Sequence, residues 1–270
     1  MEALLVRLFE ERGLIDTARA INFYIPELLS SAFSGIQVRN ILDMSSGLDC
    51  QDDYTDRTSC YYQYSMAIGD GHRDDDSPDN PYDFLQTLKA ERVSAEGSSF
   101  SYSGVNTFIL SWLVESIAQK PFHEVFTDEI WSKIGAESDA SFLAYRYGIP
   151  LTHGGFLSNM RDMARFGLLF TPSYRAVSNE KIVSEETLDL LLNQPNPNLV
   201  NNDGSHNSYQ WDRIYDDGFM FKVGWGGQGI LIIALLDVVA VYTGYYKDDY
   251  SQVEVLEPLL GALRRILTVQ

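Results

Sequence analysis

Basic residues are scarce in this chain: 20 Lys and Arg stand against 38 Asp and Glu, a formal charge of −18 over 270 residues. A phosphate backbone needs a Lys/Arg surface, so this balance excludes nucleic acid as a partner. It also disfavours anionic membrane surfaces. Long apolar runs are missing too. The longest, Ile230 to Leu236, is strand-sized, well short of the roughly 20 residues a membrane span needs. No basic leader or cleavage site is visible, because Met1 to Arg12 is amphipathic from the start and carries acids. No signal peptide is therefore read, and the compartment stays open. There are only two cysteines, Cys50 and Cys60. They either pair in an oxidising compartment, closing a short loop, or stay as two free thiols.

Histidine is equally thin. His72, His123, His153 and His206 are widely spaced and form no helical zinc pair. The Asp74-Asp75-Asp76 run lacks the spacing of a calcium loop and reads as a solvated acidic segment. No metal and no cofactor are implied. There is no Gly-x-x-x-x-Gly-Lys-Ser/Thr phosphate loop and no Gly-x-Ser-x-Gly elbow for an α/β-hydrolase nucleophile. Without such an elbow, His153-Gly154-Gly155 reads as a turn.

What is present is globular: 45% hydrophobic and 13% aromatic residues, enough for one large core or two small ones. Apolar periodicity predicts helices over Leu4–Arg12, Val38–Met44, Asn106–Ala118, Phe122–Ile134, Met160–Phe170 and Glu185–Leu192. Residues 48–81 show no sustained period and read as a long acidic loop, of the kind that walls or covers a site. The chemistry then changes. Phe219–Val223, Gln228–Ala234 and Val238–Tyr246 are rich in β-branched and aromatic residues and predict strands, the last two joined near Leu236-Asp237. Val253–Leu267 closes the chain as an amphipathic helix. The order predicts an α+β fold, an antiparallel sheet flanked by helices, in a single domain spanning residues 1–270. Within it, residues 1–210 form a mostly helical region, and residues 211–270 supply the strands and the last helix.

Three segments stand out: Ile36-x-Val38-Arg39-Asn40-Ile41-Leu42-x-Met44-Ser45-Ser46-Gly47-Leu48, Phe100-x-Tyr102-Ser103-Gly104-x-Asn106-Thr107, and Lys222-Val223-Gly224-Trp225-Gly226-Gly227-Gln228-Gly229. Each alone has a structural reading: a helix cap, a packed aromatic, a bulge at a glycine-rich strand. In this order they resemble the β-lactamase-related serine hydrolases. That group includes class C β-lactamases, penicillin-binding proteins with D-Ala-D-Ala carboxypeptidase activity, esterases and 6-aminohexanoate-dimer hydrolases. Pro26-Glu27-Leu28, Trp131 with Gly135-Ala136-Glu137, and Gly154-Gly155-Phe156 followed by Asp162-Met163-Ala164-Arg165-Phe166-Gly167 add to the likeness.

The resemblance implies a β-lactamase/transpeptidase-like fold and acyl transfer on a small-molecule amide or ester, or a peptide. In that group a Ser-x-x-Lys serine attacks a carbonyl while the lysine and a motif tyrosine move protons, since a serine needs a neighbouring base. By the resemblance, Tyr102 is the catalytic tyrosine, and Gly104, Asn106, Lys222, Trp225, Gly226 and Gly227 line the substrate. Gly104 stands where the motif carries Asn or Ser, and Ser103 or Asn106 is a candidate to replace that side chain. The third segment fits in two registers, Lys222-Val223-Gly224 or Trp225-Gly226-Gly227, and the second agrees better with Gln228. The Ser-x-x-Lys of the group would fall just before Met1, together with the strands that precede it. The one Ser-x-x-Lys present, Ser178-Asn179-Glu180-Lys181, follows the tyrosine motif and reads as chance.

The expectation is thus a truncated, inactive hydrolase. Its rivals are a binding or regulatory module on the same fold, an enzyme with an unconventional nucleophile among Ser45, Ser46 and Ser103, and an unrelated α+β interaction domain. The apolar stripe Leu256, Leu259, Leu260, Leu263, Ile266 and Leu267 is expected to be half-covered, which favours self-association.

Overall fold

The structure, a computed structural model, describes residues 1–224, 226–245 and 252–267. Trp225 and the expected strand end at Tyr246 lie outside the described residues, as does the Leu256 side chain.

Helix α1 (Glu2–Glu11) buries Leu4, Leu5, Leu8 and Phe9 and stops at Gly13, whose φ of 72° suits a residue without Cβ. The short α2 (Val38–Leu42) follows two 3-10 turns. Inside the stretch expected to be loop, α3 (Cys60–Ile68) forms, with Ser59 accepting the Tyr62 N–H at its start and Gly69 at φ 96° closing it. It lacks a polar face, because Tyr61, Tyr64, Ser65, Met66, Ala67 and Ile68 are all buried. A short α4 (Pro81–Thr87) starts on the Asn80 side-chain cap. The central helix α5 (Gly104–Ala118) is buried along its first eight residues, and α1, α2, α3 and α6 (Phe122–Glu129) pack around it. The predicted helix 122–134 breaks at Ile130 into a 3-10 turn at Trp131–Lys133.

A two-stranded ribbon, β1 (Ser141–Phe142) and β2 (Phe156–Leu157), leads to α7 (Met160–Leu168) and then α8 (Glu185–Asn193). Asp162, fully buried on α7, accepts hydrogen bonds from the Glu137 and Ser138 N–H groups and from Asn159. That fixes the start of α7 against the preceding turn.

The remaining residues form one antiparallel meander of five strands: β3 (His206–Ser208), β4 (Trp211–Ile214), β5 (Phe219–Gly224), β6 (Gln228–Ile233) and β7 (Val238–Thr243), in that spatial order. The last three were legible as strands, and the turn at Asp237 has φ 59° as a tight reversal needs. Strands β3 and β4 were not, and the sheet begins at His206, before the expected boundary at 211. Alternation on β5 splits two cores. Met220 faces the main core with the helices, while Phe219 and Phe221 face a second cluster with Leu231, Ile233 and Leu260. Helix α7 lies so close to β6 and β7 that a Cβ on Gly167 would sit 2.6 Å from a Val239 methyl.

Helix α9 (Gln252–Leu267) lays its stripe on the second cluster. Leu260 is buried, Leu259, Leu263 and Leu267 are half-buried, and Ile266 is 61% exposed. The sheet's outer face thus covers the described part of this stripe only in part, with Leu260 inside and Ile266 outside. Among the described residues no helix is long and apolar enough to cross a membrane, and no acidic or histidine cluster is arranged to hold a metal ion.

Candidate active site

The tyrosine motif sits where the chain enters α5. Ser101 N–H donates to the Met44 carbonyl, and Ser103 Oγ donates to the Cys50 carbonyl at 2.5 Å. The first N–H of the helix, on Gly104, donates to Asp52 Oδ1 at 2.7 Å. A carboxylate at a helix amino terminus is favoured by the unpaired N–H groups and the helix dipole. Asp52 is held there by the 50–60 loop, which a Cys50–Cys60 disulfide closes with Cα atoms 4.9 Å apart. The pairing left open by the sequence is therefore made, and it fixes one wall of the site.

Tyr102 lies beside β5. The Lys222 ammonium stands over its ring, 4.9 Å from the centroid, and Lys222 Nζ pairs with Asp212 Oδ1 at 2.7 Å. Burial works against the Lys222 charge, but Asp212 and Tyr102 outweigh it and hold its pKa above the ordinary value. Lys222 pulls the Tyr102 pKa down, yet burial together with Asp212, Asp52 and Glu2 leaves it raised, so the phenol is neutral at pH 7. Tyr102 is therefore a hydroxyl that can pass a proton, next to a cation that can steady the charge that results.

Gly104 has a positive reason to be glycine. A Cβ there would lie 2.8 Å from His153 Cδ2 and 3.1 Å from Tyr61 Cε2. The room for a motif side chain is taken by an imidazole from another segment. His153 is bracketed by Tyr64 Oη on Nδ1 at 3.0 Å and Tyr61 Oη on Nε2 at 3.4 Å. Burial lowers its pKa to about 4, so the ring is neutral.

Neither residue expected to replace the missing side chain does so. Ser103 is spent on Cys50, and Asn106 is 1% exposed, with Nδ2 on Met44 Sδ at 3.6 Å and Oδ1 unpartnered among the described residues. The glycine-rich segment forms the β5–β6 hairpin, with Gly224 opposite Gln228. Gly226 has φ 83° with open space where a Cβ would be, and Gly227 has φ 113° with the Gly244 carbonyl 2.8 Å from that place. Lys222 of the first register lies against Tyr102, while Trp225, which opens the second, is outside the described residues.

Tyr61 lies against Gly104 and His153. Tyr62 lies under Arg57, and Trp211 packs edge-on against Phe170. The first motif is a junction: Arg39 pairs with Asp43 at 2.6 Å, and Asp43 accepts the Tyr209 N–H at 2.9 Å. Asp52, His153 and Asp212 escaped the sequence reading, because nothing local marks them among so many acids and turn residues.

Two of these groups give the site a pH signature. Burial raises Asp52 from 3.8 to about 6, against the pull of the Gly104 N–H, Tyr54 and Lys222. Its stabilising contribution is present below pH 3.8 and is lost as pH rises through about 6. His153, lowered from 6.5 to about 4, contributes stability above 6.5 that is lost as pH falls through about 4. The two slopes oppose each other in one window. Urea unfolding between pH 4 and 6.5 is expected to show a shallow dependence in the wild type and stability rising with pH in Asp52→Asn. A variant as flat as the parent would show that one of the two groups titrates normally.

A family model described as Beta-lactamase matches residues 1–249. The 6-aminohexanoate-dimer hydrolase of Paenarthrobacter ureafaciens is 27% identical over 246 residues, 88% of this chain and 62% of that protein. The chain thus spans less than two thirds of this curated relative's length. Among solved structures, a Bacillus anthracis protein provisionally assigned as a 6-aminohexanoate-dimer hydrolase superposes with a TM-score of 0.83 at 24% identity, over 99% of this chain and 70% of its own. A penicillin-binding protein of Bacillus halodurans does so with 0.65 at 16% identity, over 96% and 83%.

Proposed function

From the premise that the chain belongs to the β-lactamase family, we propose that its Tyr102–Lys222 cleft is the proton-transfer side of an acyl-transfer site for a small amide or ester. The observation that carries this is the Lys222 ammonium 4.9 Å over the Tyr102 ring at the mouth of α5. Tyr102 relays the proton between nucleophile and leaving group, and the β5–β6 hairpin lines the acyl chain. Residues 1–270 act as one domain in this reading.

None of the four serines singled out from the sequence stands ready as nucleophile. Ser45 donates to the Asn40 carbonyl, Ser46 is 4% exposed, Ser103 donates to Cys50, and Lys181 of Ser178-x-x-Lys181 pairs with Glu185. A polypeptide of residues 1–270 is therefore expected to bind acyl compounds without turning them over. Binding of hexanoyl-p-nitroanilide, followed by NMR, should shift the Gly104 and Val223 amides, and Tyr102→Ala should abolish the effect. Nitrocefin and p-nitrophenyl butyrate should show no saturable hydrolysis. Turnover lost in Ser46→Ala or Ser103→Ala would instead establish an unconventional nucleophile. Absence of any binding would remove the acyl-site reading.

A further inference from the structure

An ammonium beside a reactive tyrosine is a natural anchor for a substrate carboxylate, but in this chain Lys222 is not available for that task. Its Nζ is 2.7 Å from Asp212 Oδ1, and its other side lies on the Tyr102 ring. Nor is Asp212 a loose surface acid. Its Oδ2 accepts the Val223 N–H at 2.8 Å, its main-chain carbonyl accepts from Asn207 Nδ2, and its side chain is 14% exposed. Both carboxylate oxygens are thus committed to the strand that carries the lysine, and the bond to the Val223 N–H holds Asp212 in place beside the ammonium.

The rest of the cleft is acidic. Asp52 stands at the Gly104 N–H. Glu2, 3% exposed and with Oε1 unpartnered among the described residues, acts through space on both Tyr102 and Lys222. Glu2 is paired through Oε2 with the Met1 ammonium at 3.4 Å, so two cations stand against three carboxyl groups and leave a net negative field in a partly desolvated site, where charge is weakly screened.

We infer that Asp212 is a specificity-determining residue: by occupying the Lys222 ammonium it makes the cleft reject acyl compounds that carry a carboxylate and admit neutral or cationic ones. This rests on reading the cleft as an acyl site. It sets the protein apart from any relative that draws in anionic substrates through a free lysine at this position, and it predicts poor recognition of penicillins, which carry a carboxylate.

The test uses three p-nitroanilides of one chain length, hexanoyl, 6-aminohexanoyl and 5-carboxypentanoyl, titrated against residues 1–270. The carboxylate compound is expected to bind roughly 10–100-fold more weakly than the neutral one. Asp212→Asn keeps an acceptor for the Val223 N–H while releasing the lysine, and it should close or reverse that gap. The double variant Asp212→Asn/Lys222→Met removes both charges and should bind the carboxylate compound within about twofold of the wild type. Equal binding of neutral and carboxylate compounds by the wild type, or an unchanged gap in Asp212→Asn, overturns the inference. So does a carboxylate affinity well below wild type in the double variant, since it would mean that Lys222 was serving as the anchor.

If none of the amides binds, the acyl-site reading falls, and phenylacetate still decides the charge question. Asp212→Asn should gain a saturable shift at the Val223 amide that the wild type lacks, and identical titrations would refute the role of Asp212.

Discussion

Alanine in place of Gly47 is expected to destabilise the protein by about 2–5 kcal/mol, combining a left-handed backbone with an overpacked site. Gly47 has φ 75°, and a Cβ there would run into the Ser94 carbonyl oxygen and lie 3.2 Å from its carbon. The obstacle is backbone, so no rotamer change relieves it. The two segments cannot simply move apart, because the Gly47 carbonyl accepts from Val93 and Ser94, Leu48 bridges Arg92, and Asp49 N–H donates to Glu91. The glycine of the Ser45-Ser46-Gly47 motif is therefore fixed by a strand-like approach rather than by substrate. Urea unfolding measures the effect, and a loss below about 1 kcal/mol would mean that the 47–50 and 91–94 segments separate freely.

Removing the cross-link, with Cys50→Ala/Cys60→Ala, is expected to lower stability by about 2–4 kcal/mol, the scale on which short disulfide loops restrict the unfolded chain. The bridge joins residues ten apart. Its effect should reach the site as well, because the loop it closes carries Asp52 to the Gly104 N–H and gives the Cys50 carbonyl to Ser103. With the loop released, Asp52 should regain solvent and titrate nearer 3.8 than 6. Urea unfolding with carboxyl-carbon NMR reads both effects. An unchanged midpoint and an unchanged Asp52 titration would show that packing alone holds the loop.

Where one apolar face recurs at a regular period, the fold was legible in the sequence. Helices α1, α5 and α7 and the meander from β5 to β7 follow from the spacing of Leu, Ile, Phe and Val. What escaped was structure whose buried residues are not apolar. Strand β3 buries His206, Asn207 and Ser208, and α3 buries two tyrosines and a serine beside its aliphatics. Neither pattern has a hydrophobic period to read.

The site divides in the same way. Tyr102 and Lys222 were readable because each lies in a motif. His153 was read as a turn because the feature that defines it, the missing side chain of Gly104, lies in a different segment. Asp52 and Asp212 acquire meaning only from what the fold sets against them, a helix amino terminus and an ammonium.

The sheet order β3-β4-β5-β6-β7 pairs every strand only with its sequence neighbours. Closing such loops costs little chain entropy, so the meander has the local contacts of a fast-forming unit. The bond from the Tyr209 N–H to Asp43 is of the opposite kind, spanning 166 residues and burying a carboxylate. During synthesis Asp43 leaves the ribosome with Arg39 but without Tyr209. The helical region must therefore wait, with that acid incompletely satisfied, until the start of the meander arrives to complete it.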